Sequence, residues 1–173
     1  MDIESVPRLI LAEELGELKA KIIQNHTAAG QVASGKTAKS LRVELEEGGG
    51  RLYGRRYFGV LETGRKAGKV PRQFYLIIRQ WMKDKGIQAP PMPYKTNRPH
   101  KYTPAERGAR SMAAAIAETI RRKGTALHRK GGRDDIYSRE IESTRKRLMQ
   151  RFSQFIEMKV EHIKLNTDVG DIK

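Results

Sequence analysis

Between Val6 and Ile23 the apolar residues Leu11, Leu15, Leu18 and Ile22 return at intervals of four, three and four, the spacing that lines one face of a helix. Glu17 and Lys21 on the polar side stand in the favourable i, i+4 order. From Leu41 to Glu46 the period drops to two, and Gly48-Gly49-Gly50 then breaks it, which predicts a strand and a turn. A second run, Leu52-Tyr53 through Tyr57-Phe58-Gly59-Val60-Leu61, is aromatic and β-branched enough to pair back across those glycines.

A glycine-rich turn, Gly64 to Gly68, is followed by Val70-Pro71, with Pro71 expected in the first turn of a helix. Phe74, Ile77, Ile78, Trp81 and Met82 mark that helix's buried face, with Trp81 as its core anchor, and Gly86 in Lys85-Gly86-Ile87 should take the left-handed position that ends it. Pro90, Pro91, Pro93 and Pro99 then exclude regular hydrogen-bonded structure, leaving an extended arm or ordered loop over residues 88–102. Pro90, Pro91, Met92, Pro93 and Tyr94 are expected to give this arm its inter-subunit contacts, because Met92 and Tyr94 supply apolar anchors.

Thr103-Pro104-Ala105-Glu106 reads as a capping box with proline at the first helical position. The alanine-rich helix it opens should run to Lys123, stop at Gly124 and let another backbone approach closely. Past Gly131-Gly132, a long last helix keeps Ile141, Leu148, Phe152, Phe155, Ile156 and Ile163 at helical spacing. The order of elements predicts an α+β fold: a small antiparallel sheet packed by several helices, with a proline-rich arm and a long C-terminal helix. At 173 residues the expectation is one domain over 1–165 and a flexible tail over 166–173.

Composition sharpens this picture through charge. The net charge is +15, and residues 51–110 hold fifteen basic side chains against three acidic ones. A single-sign excess over sixty residues points to an anionic partner reached through phosphates rather than bases. Arg51, Arg55, Arg56, Arg65, Lys66 and Lys69 flank the glycine turns, where loops protrude, and are the expected DNA- or neighbour-facing residues. With no cysteine, and with His26, His100, His128 and His162 scattered, neither a metal site nor a cofactor is expected. No apolar run is long enough to cross a membrane, and Met1-Asp2-Ile3-Glu4 lacks a signal peptide's basic start, so assembly in a cytoplasm is expected.

Gly30-Gln31-Val32-Ala33-Ser34-Gly35-Lys36-Thr37 matches the phosphate-loop pattern at every specified position. That mechanism needs a buried strand before the loop and a magnesium-holding aspartate at the end of another; here a polar helix precedes it and no apolar run ends in aspartate. The glycines are better read as breaking the first helix, with Ser34, Thr37 or Ser40 capping the next element.

Three segments resemble the long-tailed bacteriophage neck and tail-completion proteins, the virion morphogenesis or head–tail joining family. They are Tyr57 to Pro71 with the helix ending at Gly86-Ile87, Ala109 to Ala117 running into Lys123-Gly124-Thr125, and Asp135-Ile136-Tyr137-Ser138. Gly35-Lys36-Thr37-Ala38-Lys39-Ser40 keeps the spacing of that family's Gly-x-Leu-x-x-Ser element, with Thr37 in place of leucine. The Lys66-Ala67 turn, where Gly-Pro is common, and the long proline arm depart from the pattern. The resemblance implies a non-enzymatic virion protein, assembled in the bacterial host, forming a six- or twelvefold homo-oligomeric ring in the neck or upper tail. Its implied partners are portal or adaptor and tail proteins and packaged double-stranded DNA; Gly64, Gly68, Pro71, Trp81 and Gly86 would be its structural residues. The alternatives are a stand-alone basic nucleic-acid-binding protein and, less favoured, a P-loop nucleotide-binding protein.

Overall fold

The structure, a computed structural model, describes residues 5–96 and 98–168, with side chains up to residue 163. The fold is α+β. Its elements are α1 (Ser5–Ala28), α2 (Lys36–Lys39), β1 (Arg42–Glu46), β2 (Gly49–Tyr53), α3 (Val60–Thr63), α4 (Phe74–Asp84), α5 (Pro104–Lys123), α6 (Ala126–Arg129) and α7 (Ser138–Asp168). The single domain expected over 1–165 divides into two compact units: the described parts of Met1–Gly30, Ser40–Arg55 and Asp134–Lys173, and Gln31–Lys39 with Arg56–Arg133. The long last helix extends to Asp168, three residues into the expected tail, and the rest of that tail lies outside the described residues.

In the first unit, β1 and β2 pair antiparallel from Arg42 opposite Tyr53 to Glu46 opposite Gly49, so the turn is Glu47-Gly48 and the next two glycines belong to the strand. α1 lies on this hairpin and on α7. Leu15, Leu18 and Ile22 supply its buried face, as the spacing implied, with Ile10 buried beside them and Leu11 only half-buried. The α1–α7 seam also holds charge. Glu14, almost wholly buried, accepts from Arg147 Nε at 2.9 Å and from an Arg151 terminal nitrogen at 3.1 Å, and Arg151 reaches Glu13 at 2.6 Å. A buried carboxylate is tolerated only when paired in this way, which fixes the register of the two helices. α7 turns Thr144, Arg147 and Arg151 inward, and Leu148 and Phe155 share that face with them, so only part of the apolar series read from its spacing is on the inner side. Ile156 and Ile163 are 58% and 64% exposed, Ile141 is exposed too, and Leu148, Phe152 and Phe155 are half-buried.

In the second unit, the predicted strand over 57–61 is absent. Amides of Val60, Leu61, Glu62 and Thr63 donate back to the carbonyls of Tyr57, Phe58 and Gly59, so the local backbone closes into a turn and α3 and leaves no ladder to pair. Pro71 stands before α4, not in its first turn: its carbonyl accepts from Phe74 N at 3.2 Å, and Gln73, left-handed at φ 58°, swings the chain into the helix. The stop at Gly86 follows the sequence. Gly86 N donates to Lys83 O and Ile87 N to Met82 O, the paired bonds of a Schellman ending.

Against α4 packs α5, whose Ala113 is fully buried beside Ile78 and Met82 because a methyl side chain lets the two backbones close. The Thr103–Glu106 capping box forms as read, and the Thr103 amide and hydroxyl, bonding to the Glu106 carboxylate, hold it below its ordinary pKa. That cap therefore contributes above the unfolded carboxylate range and is lost as pH falls through the lower folded value. Trp81 is 38% exposed and Ile77 54%, so the buried face is the one through Phe74, Ile78 and Met82, and Trp81 is not the core anchor. Met82→Ala should cost about 2–4 kcal/mol in chemical denaturation and Trp81→Ala less; the reverse order would contradict this packing.

Candidate nucleic-acid interface

The glycine-rich loop after α3 is held by backbone. Gly64 and Gly124 sit at φ 66° and 75°, and between them Arg65 N donates to the Thr125 hydroxyl and Thr125 N donates to Arg65 O, both at 2.9 Å. Gly68 N donates to Arg121 O at 2.9 Å, and His128 Nδ1 lies 3.2 Å from Thr63 O. A Cβ at Gly124 would stand 2.7 Å from Arg65 O, and one at Gly64 would run into the His128 amide. Only glycine permits both the left-handed backbone and this approach. Behind the loop, Arg133 N donates to Glu62 O at 2.9 Å.

The chemical result is a convergence of charge. Residues 64–69 bring Arg65, Lys66 and Lys69, and residues 121–130 bring Arg121, Arg122, Lys123, Arg129 and Lys130, with no acidic residue in either stretch. Arg121 is engaged by Glu118 at 2.6 Å, a pairing that raises the guanidinium's pKa and lowers the carboxylate's. Lys66, Lys69, Arg122, Lys123, Arg129 and Lys130 are exposed. Arg65 is half-buried: its guanidinium donates to Lys69 O at 2.8 Å and lies over Phe74 at 5.4 Å, so it braces the loop. Exposed ammonium and guanidinium groups on glycine-pinned backbone suit phosphate attraction without base readout.

The six cations read from the sequence divide between the two units. Arg51 lies on β2 and Arg55 just after it, in the first unit, with Arg51 paired to Glu46 at 3.2 Å. Arg56, Arg65, Lys66 and Lys69 belong to the second unit. Of the six, Lys66 and Lys69 stand exposed at the junction. Arg122, Lys123, Arg129 and Lys130 were missed, because a basic last helical turn reads as an ordinary complement to the helix dipole. The glycine ending α5 was visible, but its partner, Gly64, lies sixty residues away.

The proline segment lies along its own chain. Met92 N donates to Pro104 O and Arg107 donates to Pro93 O, both at 2.9 Å, and the Pro90 carbonyl rests where a Cβ on Gly108 of α5 would have to be. Tyr94 is stacked on His100 at 3.5 Å and covered by Arg107 at 4.6 Å, while Pro91 and Met92 stay exposed. The phosphate-loop match fails on geometry: Gly30 follows α1, not a strand, the hairpin is antiparallel, and Gln31 Nε2 is tied to Leu61 O at 2.8 Å. Among the described residues no three His, Asp or Glu side chains gather as metal ligands, and no helix is long and apolar enough to cross a membrane. No family model, curated protein or solved structure matches the chain.

Gly64→Ala and Gly124→Ala should each lower stability by about 1–3 kcal/mol through backbone strain and displaced loops. Gly16→Ala, inside α1 with open space around it, should raise stability by about 0.5–1 kcal/mol. Thermal unfolding of the three variants checks the contrast, and a neutral Gly124→Ala would contradict the junction.

Proposed function

We propose that this chain is a non-enzymatic structural subunit of a long-tailed phage virion, working in a homo-oligomeric ring where head meets tail. In that ring the junction of residues 64–69 and 121–130 faces packaged DNA or an acidic neighbouring ring. The carrying observation is the convergence of Lys66 and Lys69 with Arg122, Lys123, Arg129 and Lys130 on backbone pinned by two glycines. A channel for moving DNA needs attraction to phosphate without sequence preference, which exposed cations supply and base-reading elements would spoil.

Two further observations support the reading. The glycine turn and the alanine-rich helix with its Gly-Thr stop, segments that carry the family resemblance, bond to each other in the fold. The exposed apolar residues Met149, Ile156, Val160 and Ile163 on α7 leave surface that other copies of the chain can bury. Portal or adaptor and tail proteins are the neighbours proposed. A stand-alone nucleic-acid-binding protein is the second reading, favoured by the same cations, since phosphate attraction does not require a ring.

Replacing Lys66, Lys69, Arg122 and Lys123 together by glutamine should leave thermal stability and oligomer mass unchanged while weakening duplex DNA binding at least tenfold. The slope of log affinity against log salt should fall by about 3–4. Unchanged DNA affinity would overturn the interface. A chain that binds DNA yet stays monomeric at every concentration and in its particle would overturn the ring in favour of the second reading.

A further inference from the structure

At the other end of α5 from the basic junction, Tyr75, Tyr102, Arg107, Arg110, Ser111 and Ala114 line an open cleft of about 440 Å³. Its floor is one face of α5, where 107, 110, 111 and 114 recur at helical spacing, and its walls are Tyr75 from α4 and Tyr102 from the end of the proline segment. The Arg110 guanidinium lies 4.2 Å from the Tyr102 ring centre and 5.8 Å from that of Tyr75, with a nitrogen 3.4 Å from the Tyr75 hydroxyl. Lys101 stands 5.6 Å over Tyr102, and Arg107 covers Tyr94, which stacks on His100.

Cations and ring faces thus alternate here, and carboxylates are scarce. From residue 88 to 117 the one acid is Glu106, whose carboxylate is occupied by the Thr103 amide and hydroxyl in the helix cap. Neither Arg107 nor Arg110 forms a salt bridge among the described residues. Half-buried guanidinium groups with free donors, set close over tyrosine rings, match a ligand that offers a planar ring and an anionic group together. An acidic peptide would satisfy the arginines and leave the rings unused, and duplex DNA keeps its base faces inside the stack. A single strand presents both, its bases to aromatic faces and its phosphates to cations.

We propose that this cleft is a stacking site for single-stranded nucleic acid, with a base against Tyr102 and Tyr75 and its phosphates on Arg107 and Arg110. The site is separate from the duplex-facing junction and does not rest on the function proposed above.

The experiment is fluorescence anisotropy of the full chain with a labelled oligothymidylate of about 15 nucleotides, with a duplex of equal length measured in parallel. Tyr102→Leu, which keeps apolar volume without a ring, should weaken single-strand binding about tenfold, leave duplex affinity within about twofold, and leave the salt slope unchanged. Arg110→Gln should weaken single-strand binding and lower that slope by about 0.7. The Lys66, Lys69, Arg122 and Lys123 quadruple variant should keep its single-strand binding, which separates this site from the junction. Wild-type affinity in both Tyr102→Leu and Arg110→Gln would overturn the proposal, as would absence of binding by the native chain. Displacement of the oligonucleotide by polyglutamate as readily as by unlabelled strand would overturn it too, because charge alone would then explain the binding.

Discussion

The reciprocal pair of bonds between Arg65 and Thr125, amide to hydroxyl one way and amide to carbonyl the other, is what the second unit is built around. Two glycines in left-handed geometry flank it, and both would lose their place to a single added carbon. α5 ends there, α6 begins there with Thr125 as its cap, and the loop after α3 is anchored there. Because the two backbones approach this closely, with the Thr125 hydroxyl as one of the bonding groups, most side chains of both stretches stand outside the contact and are exposed. Those side chains are mostly lysine and arginine, so a packing constraint becomes an electrostatic surface.

The same helix organises the rest of the unit along its length. Ala113 and Ala117 give α4 a close approach, Gly108 gives the Pro90 carbonyl room, and the capping box fixes where the proline segment must return. A segment rich in proline cannot satisfy its own backbone groups. Here Met92 and Pro93 use α5 as their partner instead, which turns an arm into a strap and carries Tyr94 and Tyr102 to the arginines of α5.

Much of this was legible where the determinant is local. The capping box at Thr103, the stops at Gly86 and Gly124, the hairpin and the inner face of α1 each depend on residues within one or two turns of one another. The failures have long-range causes. Tyr57 to Leu61 has strand composition but no neighbouring strand, so its amides close locally. Trp81 and Met82 are adjacent, and burial went to the one facing Ala113. On α7 the spacing of apolar residues gave a correct helix and part of its inner face, because Glu14 on α1 draws Arg147 and Arg151 into the seam beside Leu148 and Phe155 while Ile141, Ile156 and Ile163 stay exposed. The cationic junction was half visible: its loop could be read, whereas its helix-end partners required knowing which glycines meet.

The most direct test of the central claim is a side-chain-resolution reconstruction of the virion neck. This chain should appear there as a ring of copies, with Lys66, Lys69, Arg122 and Lys123 turned toward the DNA density or an acidic adjoining ring. A neck without this chain, or one in which those four side chains face bulk solvent on the outside of the ring, would contradict it.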